Sequence, residues 1–266
     1  MNRTTPTPTQ TVTPTAAPAA SPAVAPTADN AFRPYKTDGK VAILIDGGYF
    51  LKRVNSLCRP EKRNDAEYTV RLINVLCANH AERLEQQIYR VFFYDCPPFD
   101  IGLHNPLSGR FVKFKESPQY KFKVELFERL RAMRKMALRL GRLNLDRDSS
   151  WQITPEKVKE LLAKKITVDD LDPEVDLRPN FRQKQVDMKI GVDIASMVLK
   201  KQVQTIVLVA GDGDFVPASK FARREGVDFI LDPMWAHINP DLYEHIDGLQ
   251  TVLFKKPAPN GAPTTR

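Results

Sequence analysis

Cysteine is scarce: three residues in 266, Cys58, Cys77 and Cys96, with no Cys-x-x-Cys or other paired spacing. That excludes a readable disulfide framework or cysteine-based zinc site. Lone thiols of this kind suit a reducing cytosol. The four histidines, His80, His104, His237 and His245, are equally scattered, so no imidazole ligand set stands out. No apolar run approaches the ~20 residues of a membrane span. The N-terminal stretch has a single early Arg3 and no apolar segment, so no secretory signal is expected. Its positive charge is also too sparse for a transit peptide. A cytoplasmic location is the expectation.

What is present is a chain with 42% hydrophobic and 27% charged residues. That is enough for one sizeable α/β core or two small ones. A net charge of +8 favours a polyanionic partner, chiefly nucleic acid or an anionic membrane surface. Residues 1–36 are rich in Pro, Thr and Ala without apolar periodicity, and read as a disordered tail. The folded domain is expected over 37–255, and 256–266 read as a flexible Pro-containing tail.

Within the folded part, KVAILID at Lys40–Asp46, IYRVFFYD at Ile88–Asp95, TIVLVA at Thr205–Ala210 and VDFIL at Val227–Leu231 are near-continuous apolar runs. Such runs suit strands of a parallel sheet covered on both faces. A short fifth strand is expected at Leu249–Phe254. Helical spacing appears at 49–57, 65–86, Val186–Lys200 and Phe215–Glu225. The segment 96–184 reads as an insertion. In it, Phe122, Leu126, Leu130, Met133 and Ala137 predict a basic amphipathic helix over Lys121–Leu140. Thr154-Pro155 predicts a capped helix running to about Lys164. Alternating strands and helices imply an α/β fold with a mainly parallel sheet and helices on both faces.

In such sheets, functional groups collect beyond the carboxyl ends of the strands, near the switch in strand order. Asp46 follows the first strand, and Gly211-Asp212-Gly213-Asp214 follows the third. Asp187 opens a helix that can approach the same rim. Converging carboxylates repel unless a cation shares the site, and oxygen ligands suit a hard ion such as Mg²⁺ or Mn²⁺. Each acid also has a plainer role open to it, as a turn residue or a helix N-cap. Asp193 stands six residues after Asp187, roughly 120° around the helix, and is expected as an outer ligand. Asp95 ends the second strand, where a loop-terminating role beside Pro97 and Pro98 is expected.

Three stretches, ILIDGGYF at 43–50, QKQVDMKIGVDIA at 183–195 and VLVAGDGDFVPASKFARREG at 207–226, together resemble the NYN domain. This is the PIN-like nuclease group that includes LabA-like proteins, and the resemblance spans about residues 40–252. It implies a PIN-like three-layer α/β/α sandwich and metal-dependent endonucleolytic cleavage of RNA. The family's catalytic acids fall on Asp46, Asp187, Asp212 and Asp214. The implied metal ligands are the same four together with Asp193. Many members carry Asn three residues after the first acid; here that position is Tyr49.

Between Arg110 and Arg147, twelve Lys/Arg face four acids, a local excess as large as the whole chain's. The candidates for holding phosphates are Lys113, Lys115, Lys121, Lys123, Arg131, Arg134, Lys135, Arg139, Arg142 and, farther on, Lys184. Phe111, Phe114, Tyr120, Phe122 and Phe127 interleave with them and are expected to point mainly into the core. Single-stranded RNA leads as substrate, with structured RNA and DNA left open. Two other readings stay open: a non-catalytic RNA-binding module with this fold, and a different Mg²⁺ enzyme such as a phosphatase. Protein partners leave no readable mark, a homo-oligomer being one option.

Overall fold

The computed structural model describes residues 39–145 and 150–254; both expected tails lie outside the described residues. Strand β1 (Lys40–Asp46) leads into α1 (Gly47–Leu57), and α2 (Ala66–Leu84) returns to β2 (Gln87–Asp95). Then come β3 (Gly102–His104), β4 (Phe111–Lys113) and α3 (Pro118–Ala132). The middle continues through β5 (Met136–Leu140), β6 (Arg142–Leu145), β7 (Trp151–Ile153), α4 (Pro155–Leu162), β8 (Leu177–Pro179) and β9 (Phe181–Lys184). The last part is α5 (Val186–Leu199), β10 (Thr205–Val209), α6 (Val216–Arg224), β11 (Asp228–Asp232), α7 (Pro240–Tyr243) and β12 (Gly248–Leu249).

Six strands form one parallel sheet in the order β12-β11-β10-β1-β2-β5. The central strands are apolar on both sides because both sides are covered: Val41 to Ile45 are all fully buried. Val41, Ile43 and Ile45 face α1, α2 and α3 through Phe50, Ile73, Leu76, Leu126 and Leu130. Ala42 and Leu44 face α5 and α6 through Ile190, Ile194, Met197 and Ala222. The result is a three-layer α/β/α sandwich. The chain builds outward from β1 to β5 on one side, then restarts at β10 on the other. The switch in strand order therefore lies between β1 and β10, where this architecture opens a crevice.

Two expectations fail in the middle of the chain. The helix expected over Lys121–Leu140 ends at Ala132, and Met136–Leu140 is instead the edge strand β5, parallel to β2. The break is made by Met133 in extended conformation and Lys135 at φ 64. Apolar Met133 and Ala137 merely continue the helical stripe by coincidence of spacing. The core thus runs through the segment expected as an insertion. At the other edge, strand pairing stops at Leu249 rather than Phe254. The Trp235 indole N–H donates to the carbonyls of Leu253 and Phe254, which tie the chain down without a ladder. Helix α4 ends at Leu162, and Thr154 makes no side-chain cap.

The rest of that segment forms three two-stranded antiparallel pairs, β3–β4, β6–β9 and β7–β8. A satellite aromatic cluster binds them, with Phe99 at 4.5 Å from Phe181 and 5.5 Å from Phe114 between ring centres, and Trp151 beside Phe114. Phe122 and Phe127 are buried in the main core, while Phe111 is exposed beside His104. No helix among the described residues is long and apolar enough to cross a membrane.

Candidate active site

Asp46 is the last residue of β1, and the register pairs Ile45 with Val209, so the loop after β10 begins level with it. That loop carries Asp212 and Asp214, and Asp214 lies in a single 3-10 turn over Gly213–Phe215 that leads into α6. Asp187 sits in the first turn of α5. All four acids thus lie along the carboxyl end of the sheet, at the β1/β10 switch, with Asp187 near enough to sense the charges of Asp212 and Asp214. Their charges register on one another. Asp46 is pushed up to about 6, first by burial and then by the negative charges of Asp187 and Asp95. Asp187 is raised by partial burial and then by Asp212 and Asp214.

The plainer capping roles are present at the same time. Asp46 Oδ1 accepts the Tyr49 N–H at 3.1 Å and caps α1. Asp212 Oδ1 accepts the Asp214 N–H at 3.2 Å and caps the short turn. Each cap occupies one carboxylate oxygen and fixes its orientation, leaving Oδ2 of both residues for another partner. Capping and ion binding are compatible on the same side chains.

Among the described residues, no three acid, imidazole or thiol groups lie close enough together to enclose a metal ion. A ready-made dry cage is therefore absent there. The donor set still fits a hard divalent cation that keeps several waters and leans on one or two carboxylates. It consists of carboxylate oxygen atoms only, on acids that raise one another's proton affinity.

Asp193 stands apart from these four. Its Oδ2 accepts from Tyr94 Oη and Arg139 Nε, each at 3.0 Å, on the flank of α5 facing β5. Asp95, by contrast, is more than a loop terminator. It is fully buried, binds Lys123 Nζ at 2.7 Å, and leaves its Oδ2 without a described partner beside Asp46. The sequence hint was available: β1 and β2 end level, so an acid closing β2 must neighbour one closing β1. Asp232 ends β11 at the same rim but turns inward to His80 Nε2 at 2.9 Å, both side chains being fully buried. It shapes the following turn, where its Oδ1 accepts the Met234 N–H.

Tyr49 is held by that turn. Its Oη donates to the Pro233 carbonyl at 2.6 Å. Its ring lies against Gly211, where an added Cβ would come within 2.5 Å of it. Burial pushes the phenol up to about 12, so it stays neutral. Gly213 in turn lies under the Asn239 amide, which would stand 2.5 Å from a Cβ there.

The basic candidates divide into two groups. Lys113 pairs with Glu116, Lys115 with Asp100, Lys123 with Asp95 and Arg139 with Asp193, while Lys135 donates to the Ile88 carbonyl. Lys121, Arg131, Arg134, Arg142 and Lys184 are exposed and pair with no acid among the described residues. Of these, Arg142 and Lys184 lie opposite each other in the β6–β9 pair. Its neighbour Gln183 reaches Gly48, next to Asp46. That pair therefore borders the acidic site.

Residues 124–242 match the model of the NYN domain family. This stretch is similar to the NYN domain family. The family has a nuclease-like fold, and its members are generally ribonucleases. The matched stretch contains Asp187, Asp193, Asp212 and Asp214; the ILIDGGYF segment with Asp46 precedes it. Among solved structures, the chain is similar to a protein of unknown function from Vibrio parahaemolyticus, with 14% identity and a TM-score of 0.42. The likeness covers 81% of this chain and 93% of that one. No curated protein matches the sequence.

Proposed function

We propose that the chain is a metal-dependent endoribonuclease hydrolysing phosphodiester bonds in single-stranded or structured RNA. The observation that carries this reading is the placement of Asp46 at the end of β1, Asp187 in the first turn of α5, and Asp212 and Asp214 in the loop after β10, all at the switch point of the sheet. These acids would hold Mg²⁺ or Mn²⁺, which when bound helps to activate water and to stabilise charge on the phosphate. In the reaction, water's oxygen bonds to phosphorus, the bond from phosphorus to one sugar oxygen breaks, and that oxygen leaves with a proton. The chain's own contribution is placement. The Tyr49 N–H fixes Asp46, the Asp214 N–H fixes Asp212, and Arg142 and Lys184 border the site to orient the phosphates. The buried, unpaired thiols of Cys58, Cys77 and Cys96 support a cytoplasmic location.

A second reading is a non-catalytic RNA-binding module. The lack of an enclosed three-group metal site among the described residues favours it. A labelled-RNA assay with the full chain separates the two. The first reading expects cleavage in Mn²⁺ that EDTA, Asp46→Asn and Asp212→Asn each abolish. Tight RNA binding without cleavage across several metals selects the second.

A further inference from the structure

Beside the acidic site, the exposed flank of α5 and the edge strand β5 enclose a groove with no assigned role. Its first basin, about 520 Å³, is lined by Arg139, Gln185, Met188, Lys189, Val192 and Asp193. A second basin of about 240 Å³ continues it past Arg90, Ser196 and Gln202. Arg139 and Asp193 line both, so their ion pair is the partition between the two.

The groove has a distinct chemistry. Met188 and Val192, one helical turn apart, are 72% and 57% exposed, and Leu199 extends the same apolar stripe. Large apolar side chains this open on a helix otherwise well buried are in search of a flat apolar partner. The charged lining is Arg139, Lys189 and Arg90 against the single acid Asp193, which Arg139 and Tyr94 already occupy. Arg142 and Lys184 extend the positive charge at the mouth beside Gln185. An exposed apolar stripe beside cations suits a single nucleic-acid strand, whose bases can lie against the stripe while its phosphates meet the cations. Gln185 and Met188 put one end of the groove at the first turn of α5, the turn that carries Asp187.

We infer that this groove is a subsite for the nucleotides flanking the scissile phosphate of a single-stranded substrate. The inference rests on the function proposed above and names the path its substrate takes. The occupant of the groove is a polynucleotide strand, as distinct from a protein segment added to the open edge of β5.

The test uses the full chain in EDTA, so binding is read without cleavage. Anisotropy of labelled twelve-nucleotide oligouridine and oligothymidine is compared for the wild type and Met188→Ser/Val192→Ser. Photocrosslinking of a 4-thiouridine strand to the wild type is mapped alongside, which does not depend on the variant folding. The expected result is about tenfold weaker RNA binding with an unchanged salt slope, because apolar contact is lost and charge is kept, and crosslinks within 185–193. Equal weakening for both strands makes the subsite blind to the 2′-OH; weakening for RNA alone makes it an RNA reader, and either supports the groove. Unchanged affinity with crosslinks elsewhere overturns it, as does a double substitution that alters self-association or peptide binding and leaves RNA binding intact. Wild-type cleavage in Mn²⁺ is measured separately. Cleavage without groove-dependent binding rejects the groove alone, and groove-dependent binding without cleavage rejects the hydrolytic reading alone.

Discussion

Tyr49 and Pro233 stand 184 positions apart in the chain, yet the Tyr49 hydroxyl donates to the Pro233 carbonyl at 2.6 Å. The contact ties the start of α1, which Asp46 caps, to the turn after β11. Arg53 reinforces it by donating to the Met234 carbonyl. In this chain, position 49 is structural support for the acidic rim.

Tyr49→Phe keeps the ring against Gly211 and deletes one hydrogen bond. The expected loss of stability is about 1 kcal/mol, plus the effect of stranding the Pro233 carbonyl. Tyr49→Ala also empties the space beside Gly211, and a loss of about 3–5 kcal/mol is expected. Urea unfolding of both variants measures the difference.

Gly211→Ala is expected to cost about 1–3 kcal/mol by overpacking, since the new methyl meets the Tyr49 ring at 2.5 Å. The same clash would displace Asp212. Combining it with Tyr49→Ala should make the two costs markedly less than additive, because the smaller side chain removes the collision. Additive losses in a double-mutant cycle would show that the ring does not limit this loop.

How much of this could be read beforehand varies with physical cause. The strands β1, β2, β10 and β11 were legible because burial on both faces makes them apolar throughout. Their ends placed Asp46, Asp212 and Asp214 along one rim of the sheet. The edge strand β5 was not legible: Met133 and Ala137 fall in step with the preceding helix, and the left-handed Lys135 that breaks it is neither Gly nor Asn. Strands β3, β4, β7 and β8 have three residues each, too few to show a period. The helical angle set Asp193 apart from Asp187, but nothing local named Arg139 and Tyr94 as its partners. Those lie 54 and 99 positions away. The buried His80–Asp232 pair was hidden for the same reason.

Lys123 is the cation that balances buried Asp95. Lys123→Met should destabilise the fold by about 3–5 kcal/mol, because it leaves an uncompensated buried carboxylate. Asp95→Asn in the same chain should restore much of that loss. Denaturant titrations of the single and double variants check the rescue.

Asp228, at the start of β11, is pushed up to about 6 by burial and then by the charge of Asp247. Its ordinary unfolded value is about 3.9. Between these values the folded state keeps a proton that the unfolded state releases, so this group's contribution falls as pH rises through about 4–6. Above that window the cost is constant. Asp228→Asn should therefore add about 1–2 kcal/mol at pH 7, after allowance for solvent screening. The gain should vanish near pH 3.5. Stability measured against pH for both proteins tests the sign.

Direct metal binding is the most incisive measurement. Calorimetric titration of Mn²⁺ into the full chain is expected to show saturable binding. Asp46→Asn and Asp187→Asn should each weaken it at least about tenfold, the equivalent of roughly 1.4 kcal/mol, while Asp193→Asn leaves it nearly unchanged. Absence of saturable binding in the wild type, or binding that survives both Asp46→Asn and Asp187→Asn, would contradict a metal centre built on these acids.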